Sequence, residues 1–153
     1  MTALLGEFDS RLDAKGRFSV PAGLRRQLPP DAQDSFVVNR GFEPCLVLYP
    51  KPVWDAVAAR INQLNPFVKE NRAFTRYFYR GATELRLDSA QRLLLPKKLM
   101  DYAGMDKEIV LFAHTDKIEL WAAERYETMM DDAPDDFADL AEKVMGSGSP
   151  SSE

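Results

Sequence analysis

"LDAKGRFSVP", residues 12–21, and "LDSAQRLLLP", residues 87–96, are one stretch met twice. Leu12, Asp13, Arg17 and Pro21 coincide with Leu87, Asp88, Arg92 and Pro96 at a constant offset of 75. Self-similarity at that range marks a duplicated unit, and every other stretch has to be read in its light. Further along, "FVV" at 36–38 answers "IVL" at 109–111, and "LVLYP" at 46–50 answers "IELWA" at 118–122. Each copy reads strand, turn, strand, helical turn, strand, strand. A unit of roughly fifty residues is marginal for a hydrophobic core of its own, so the two copies are expected to share one.

The local signals support that order. Residues 5–12 alternate around Phe8, Ser10 and Leu12, and "RFSVP" alternates Phe18 with Val20, which places a strand on either side of Asp13–Gly16. An aspartate opening a turn can accept backbone amides, and Gly16 can take a positive φ. Pro21, which has no N–H for a ladder, ends the second strand. "AGLRRQL" is a short helix with Leu24 and Leu28 one turn apart, stopped by Pro29 and Pro30; "KKLMDYAG" is its counterpart, with Leu99, Ala103 and Gly104 as C-terminal cap.

Helical material lies between and after the copies. Pro52 suits the start of a helix whose stripe is Val53, Val57, Ile61 and Leu64. After Pro66 a second helix is expected from about Phe67 to Tyr79, with Phe67, Phe74 and Phe78 inward and Gly81 closing it. Arg72, Arg76 and Arg80 fall on its other face at a spacing where like charges repel, unless an anion, an acidic partner or nearby carboxylates offset them. "ERYETMM" continues from the last strand. "PDDFADLAEKVMG" sets Phe137, Leu140, Ala141 and Val144 on one side, with Asp135 and Asp136 at its N-terminal end, and "SGSPSSE" reads as a flexible tail.

Hydrophobic residues make up 45% of the 153, enough for a real core. No apolar run approaches the roughly 20 residues that span a bilayer, and "MTALLGEFDS" lacks the pattern of a signal peptide, so a cytoplasmic location without membrane contact is expected. The single cysteine, Cys45, excludes a disulfide framework and a cysteine-based zinc site and reads as a buried, inert thiol. The net charge of −4 hides a strong asymmetry. Residues 127–153 hold eight acids against Lys143 alone, which leaves residues 1–126 at +3. Within that body, residues 11–26 carry five bases against Asp13, and residues 69–98 carry eight against three acids. Both basic clusters contain a copy of the motif.

Enzyme chemistry finds no foothold. There is no Gly-rich phosphate loop and no dinucleotide fingerprint, and the one histidine, His114, is expected in a surface loop between two strands. No cofactor, metal or small-molecule substrate is expected. What the turn chemistry leaves unexplained is the arginine. The second copy replaces Gly16 by Gln91 yet keeps Arg92, so the arginine answers to a separate constraint. A guanidinium donates two parallel hydrogen bonds and suits phosphate or guanine.

"GEFDSRLDAKGRFSVPAGLR" with "RGFEPCLVLYP", and "LDSAQRLLLPKKLMDYAGMDKEIVLFAHTDKIELW" in the second half, resemble the MraZ family of bacterial transcriptional regulators over roughly residues 5–126. That resemblance implies an α+β, β-rich fold of two tandem AbrB-like swapped-hairpin units sharing one pseudo-twofold core, with interposed and C-terminal helices. The units would be 5–54 and 82–126, joined by a helical connector at 55–81 and followed by an acidic helix at 127–145 and a tail at 146–153. It further implies ring-shaped homo-oligomers on short direct repeats of double-stranded DNA, upstream of the family's own operon of division and cell-wall genes, usually repressing it. A nucleoid-associated location would follow. The motif arginine contacts DNA, which carries over to Arg17 and Arg92; the preceding lysine carries over to Lys15 only, because Ala90 stands at that place in the second copy. Arg11 and Arg86 are expected to add attraction for phosphates. The competing reading is a protein-binding assembly module or antitoxin-like partner, which the acidic end favours.

Overall fold

The computed structural model describes residues 3–32, 34–132 and 136–146, and is a mixed α+β fold rich in strands. The first copy runs β1 (Leu4–Arg11), β2 (Arg17–Ser19), α1 (Ala22–Arg25), β3 (Ser35–Arg40) and β4 (Leu46–Pro50). Two helices follow, α2 (Lys51–Asn62) and α3 (Lys69–Tyr79). The second copy runs β5 (Thr83–Arg86), β6 (Arg92–Leu94), α4 (Lys97–Ala103), β7 (Glu108–Thr115) and β8 (Lys117–Ala122). The expected element order is met in both.

Neither copy closes a sheet alone. The β3–β4 and β7–β8 hairpins lie side by side in a six-stranded antiparallel sheet of order β1-β7-β8-β4-β3-β5. Each first strand has crossed to the other copy: β1 pairs with β7 from Leu4↔Thr115 to Arg11↔Glu108, and β5 pairs with β3 from Ser35↔Arg86 to Val38↔Thr83. The second strands pair with each other in a separate ribbon, β2–β6. Both registers are twofold. Val47 faces Glu119, with Leu46↔Leu120 and Leu48↔Ile118 on either side; Phe18 faces Leu93, with Arg17↔Leu94 and Ser19↔Arg92. Interchanging the copies reproduces each set of pairs.

Strand alternation sorts the core. Phe36, Val38, Leu46 and Leu48 enter the main core with Ile109, Leu111, Ile118 and Leu120, and meet Phe18, Val20, Leu24, Leu93, Leu95 and Leu99 from the ribbon and the short helices. Val37 and Tyr49 point to the opposite face of the sheet and join Val53 and Trp54 of α2. There Trp54 stacks on Phe78 of α3 at 5.7 Å and meets Tyr49 edge-on at 5.3 Å. The C-terminal end of α3 is clamped by polar bonds. Buried Asn39 donates to the Phe78 carbonyl at 2.6 Å, and Arg40 donates to the carbonyls of Tyr77 and Arg80.

Three expectations require correction. Phe67 lies before α3 and is 90% exposed, so it is not inward; Phe78 joins the aromatic cluster as a partly buried member, and Phe74, 44% exposed, stacks on Phe78 at 5.8 Å from the rim of that cluster. Pro66 does not start the helix at once, because the Asn65 side chain first takes the Phe67 N–H at 2.9 Å. His114 sits within β7, opposite Lys117, and not in a loop; the reversal after it is tighter than expected, with Thr115 at φ +58°.

The described residues from 124 to 146 form a second compact unit, which contains most of α5 (Ala123–Asp131) and all of α6 (Phe137–Ala141). The Asp136 side chain caps α6 by accepting the Asp139 N–H at 3.1 Å, and a π-helical turn, Glu142–Gly146, follows. Phe137, Leu140 and Val144 are exposed. Asp135 and the tail from 147 onward lie outside the described residues.

Leu93 is fully buried at the centre of the ribbon, where the two copies meet. Leu93→Ala is expected to cost about 2–5 kcal/mol. In urea this should appear as one cooperative transition moved to lower concentration; two separate transitions would show copies that fold independently.

Candidate nucleic-acid interface

One carboxylate builds each turn. Asp13 Oδ1 accepts the backbone N–H groups of Lys15 and Arg17, both at 2.9 Å, and the Asp13 carbonyl accepts the Gly16 N–H at 3.0 Å. Oδ2 takes the Arg17 Nε–H at 2.7 Å. Asp88 repeats the arrangement with Ala90 at 2.8 Å, the Arg92 N–H at 2.9 Å and Arg92 Nε at 2.9 Å. The bonds to the carboxylate oxygens favour its ionised form. The Arg17 backbone N–H foremost, aided by its guanidinium and by the Lys15 N–H and opposed by partial desolvation, holds Asp13 down at about 2. Asp88 is lowered in the same direction, led by the Arg92 backbone N–H.

The turns differ in backbone strain. Gln91 takes φ +63°, inside the left-handed region that side chains tolerate at some cost; Gly16 takes +89°, beyond it. A Cβ on Gly16 would also stand 2.8 Å from Met100 Cε. Glycine is therefore required in the first turn and dispensable in the second, and the second turn keeps the shape of the first.

Each turn is also tied to the other copy. The Gly16 carbonyl accepts the Leu95 N–H at 2.9 Å, and the Gln91 carbonyl accepts the Val20 N–H at 3.1 Å. Phe18 and Leu93 face the core, so alternation sends Arg17, Ser19, Arg92 and Leu94 to the outward face. Arg17 and Arg92 are diagonal neighbours there, which sets their backbones roughly 7–8 Å apart. Their side chains are 30% and 33% exposed. With Nε committed to the aspartate, the two terminal nitrogens of each guanidinium have no hydrogen-bond partner among the described residues.

The other expected residues surround this pair. Lys15 is exposed on the first turn. Arg11 ends β1 and pairs with Glu108 at 2.9 Å, both exposed, a contact that solvent screens heavily. Its counterpart Arg86 ends β5 and donates to Ser35 Oγ at 3.0 Å, so its charge is not offset there. A cleft of about 630 Å³ beside the first turn sets Arg11, Lys97 and Lys107 against Asp13, Asp101 and Asp106, a balance that selects no anion. The arginine stripe is shorter than expected, because Arg80 lies past the end of α3 in extended backbone. Arg72 donates to the Pro66 carbonyl, and no carboxylate pairs with Arg72 or Arg76 among the described residues.

Sequence reasoning missed the outward placement of Leu94. The run "LLL" reads as uniformly apolar, and only alternation from buried Leu93 would have separated Leu94 from its neighbours. Elsewhere, burial pushes the Cys45 thiol up to about 12, with Glu119 and Glu43 adding, which removes thiolate chemistry at neutral pH. His114 stacks on Phe112 at 4.9 Å and lies 3.6 Å from Glu119. Among the described residues no group of side chains could hold a metal ion, and no helix is long and apolar enough to cross a membrane.

A family model described as "MraZ protein, putative antitoxin-like" matches residues 3–77 and again residues 78–146. A relative from Christiangramia forsetii is 46% identical over 147 residues, covering 95% of both chains. One from Flavobacterium psychrophilum is 43% identical, covering 95% of this chain and 94% of its own. One from Ligilactobacillus salivarius is 38% identical, covering 92% and 96%. All three bear the name transcriptional regulator MraZ, and the class that name declares is that of the transcription regulators. With the family model met twice over nearly its whole length, this chain belongs to the MraZ family.

Two outcomes test the turn. The Asp13 carboxyl, followed by NMR, should titrate near pH 2; its contribution to stability is complete above about pH 4 and is lost as pH falls through about 2. Arg17→Ala should raise that midpoint only part of the way, because the backbone amides still bind. Gln91→Gly should be neutral or stabilising by up to roughly 1 kcal/mol, whereas Gly16→Gln should destabilise by about 1–3 kcal/mol in denaturant melts.

Proposed function

We propose that this chain is a sequence-specific DNA-binding regulator of transcription. One observation carries the reading: two arginines lie on one outward ribbon face, each aimed by its own aspartate, with terminal nitrogens that no group among the described residues occupies. A two-stranded ribbon fits the major groove, and a held guanidinium there can donate its fork to guanine or to a flanking phosphate. Lys15, Arg11 and Arg86 add attraction for phosphates around that pair.

The exchanged strands of the two copies correspond on this reading to AbrB-like swapped-hairpin units. One ribbon touches few base pairs, so useful affinity requires several copies acting together, as in a ring-shaped homo-oligomer on short direct repeats. Exposed Phe42, Phe67 and Tyr77 suit such contacts between copies. Membership of the family supports promoter repeats upstream of the chain's own operon of division and cell-wall genes, repression as the outcome, and action at the nucleoid in the cytoplasm. The same exposed aromatics and the acidic second unit favour a second reading, an antitoxin-like or assembly module that binds protein. That reading leaves the two aimed arginines without a task.

Gel shifts with the DNA directly upstream of the gene, against scrambled DNA, decide between them. Arg17→Ala and Arg92→Ala should each weaken specific binding by about 1–3 kcal/mol with oligomer size unchanged. Log affinity should fall linearly with log salt, at about −0.9 per phosphate neutralised. Equal affinity for scrambled DNA, or wild-type binding by both variants, sinks the proposal.

A further inference from the structure

The ribbon is twofold in backbone but not in side chains. Directly across the ladder from Arg17 stands Leu94, whereas Ser19 stands across from Arg92. Leu94 is 53% exposed, between Leu93 and Leu95, which are buried in the core. It is thus a large apolar side chain on the outward face that holds the two aspartate-paired guanidinium groups. Its counterpart at the twofold-related position, Ser19, is small and polar. Both positions have the same backbone geometry, so the fold does not demand leucine at either.

Facing residues of a ladder have Cβ atoms about 4.5–5.5 Å apart, somewhat more than the roughly 3.4 Å between stacked bases. With the cross-strand direction laid along the groove, a side chain opposite Arg17 reaches the base pair next to the one that Arg17 reads. The thymine methyl is the apolar group that the major groove offers at a base edge. We propose that Leu94 reads a thymine methyl adjacent to the base contacted by Arg17, and that Ser19 makes no such demand in the other half. The inference rests on the DNA-binding reading above and deepens it: a nearly symmetric protein reads its box with a direction.

The test uses the full chain and the shortest duplex it selects from random sequence. Each thymine is replaced in turn by deoxyuridine, which removes the methyl and keeps the pairing. One position should weaken wild-type binding about fourfold, the worth of one buried methyl-sized group. Leu94→Ser should bind the thymine and uracil duplexes equally, with melting temperature and oligomer size unchanged, because Leu94 is outside the core. The inference is overturned if wild type tolerates uracil everywhere, if Leu94→Ser keeps the uracil effect, or if the folded variant loses all binding. A selected box that depends on Arg17 but ignores uracil removes this inference alone; failure to select any box removes the DNA-binding reading with it.

Discussion

Backbone hydrogen bonds between β1 and β7, and between β5 and β3, tie each half of the chain to the other, and the remaining architecture follows from them. A single copy offers one hairpin with two open edges, each a row of unpaired N–H and C=O groups. The other copy's first strand covers one edge, and the two hairpins cover each other at β4–β8. With β1 committed to the sheet, the chain must leave it at Asp13. The next strand finds its partner in the equivalent strand of the other copy, and the β2–β6 ribbon is the result. The turn is where one half passes between two sheets, which is why it needs so many hydrogen bonds.

That turn joins a structural task to a chemical one in a single carboxylate. One oxygen of Asp13 satisfies two backbone amides that a sharp reversal would leave unpaired, and the other holds Arg17 by its Nε. An arginine carries about 2 kcal/mol of rotamer entropy, and a fork already oriented loses less of it on meeting a ligand. Gln91 shows which residue is indispensable. The second turn has lost its glycine and keeps every bond to Asp88, so the aspartate defines the shape, and glycine is needed only where φ passes beyond the left-handed range, as at Gly16.

Duplication has left one scaffold with two different faces. Lys15 is matched by Ala90, Ser19 by Leu94, and Glu108, which pairs with Arg11, by Ser35, which receives Arg86. Because none of these side chains belongs to the shared apolar core, they can differ without disturbing the pseudo-twofold registers. Charge is divided along the chain as well. The acids concentrate beyond residue 126, so the net charge of −4 says little about the ribbon face.

The residues themselves determined the duplication, the element order of each copy and the aspartate turn, since all of these are local patterns of period, spacing and turn chemistry. They also singled out Arg17 and Arg92, because the second motif loses Gly16 and keeps its arginine. Strand partners were not local in this sense. A period of two says which face of β1 is apolar and nothing about whether its edge meets β2 or β7, a choice made by residues a hundred positions away. The same limit explains Phe67: an apolar side chain at helical spacing reports the wish to be covered, and only packing decides whether anything covers it. It explains Leu94 too. Side-chain identity made it look like core, whereas the pairing Phe18↔Leu93 turned its neighbour inward and left Leu94 facing out beside Arg17.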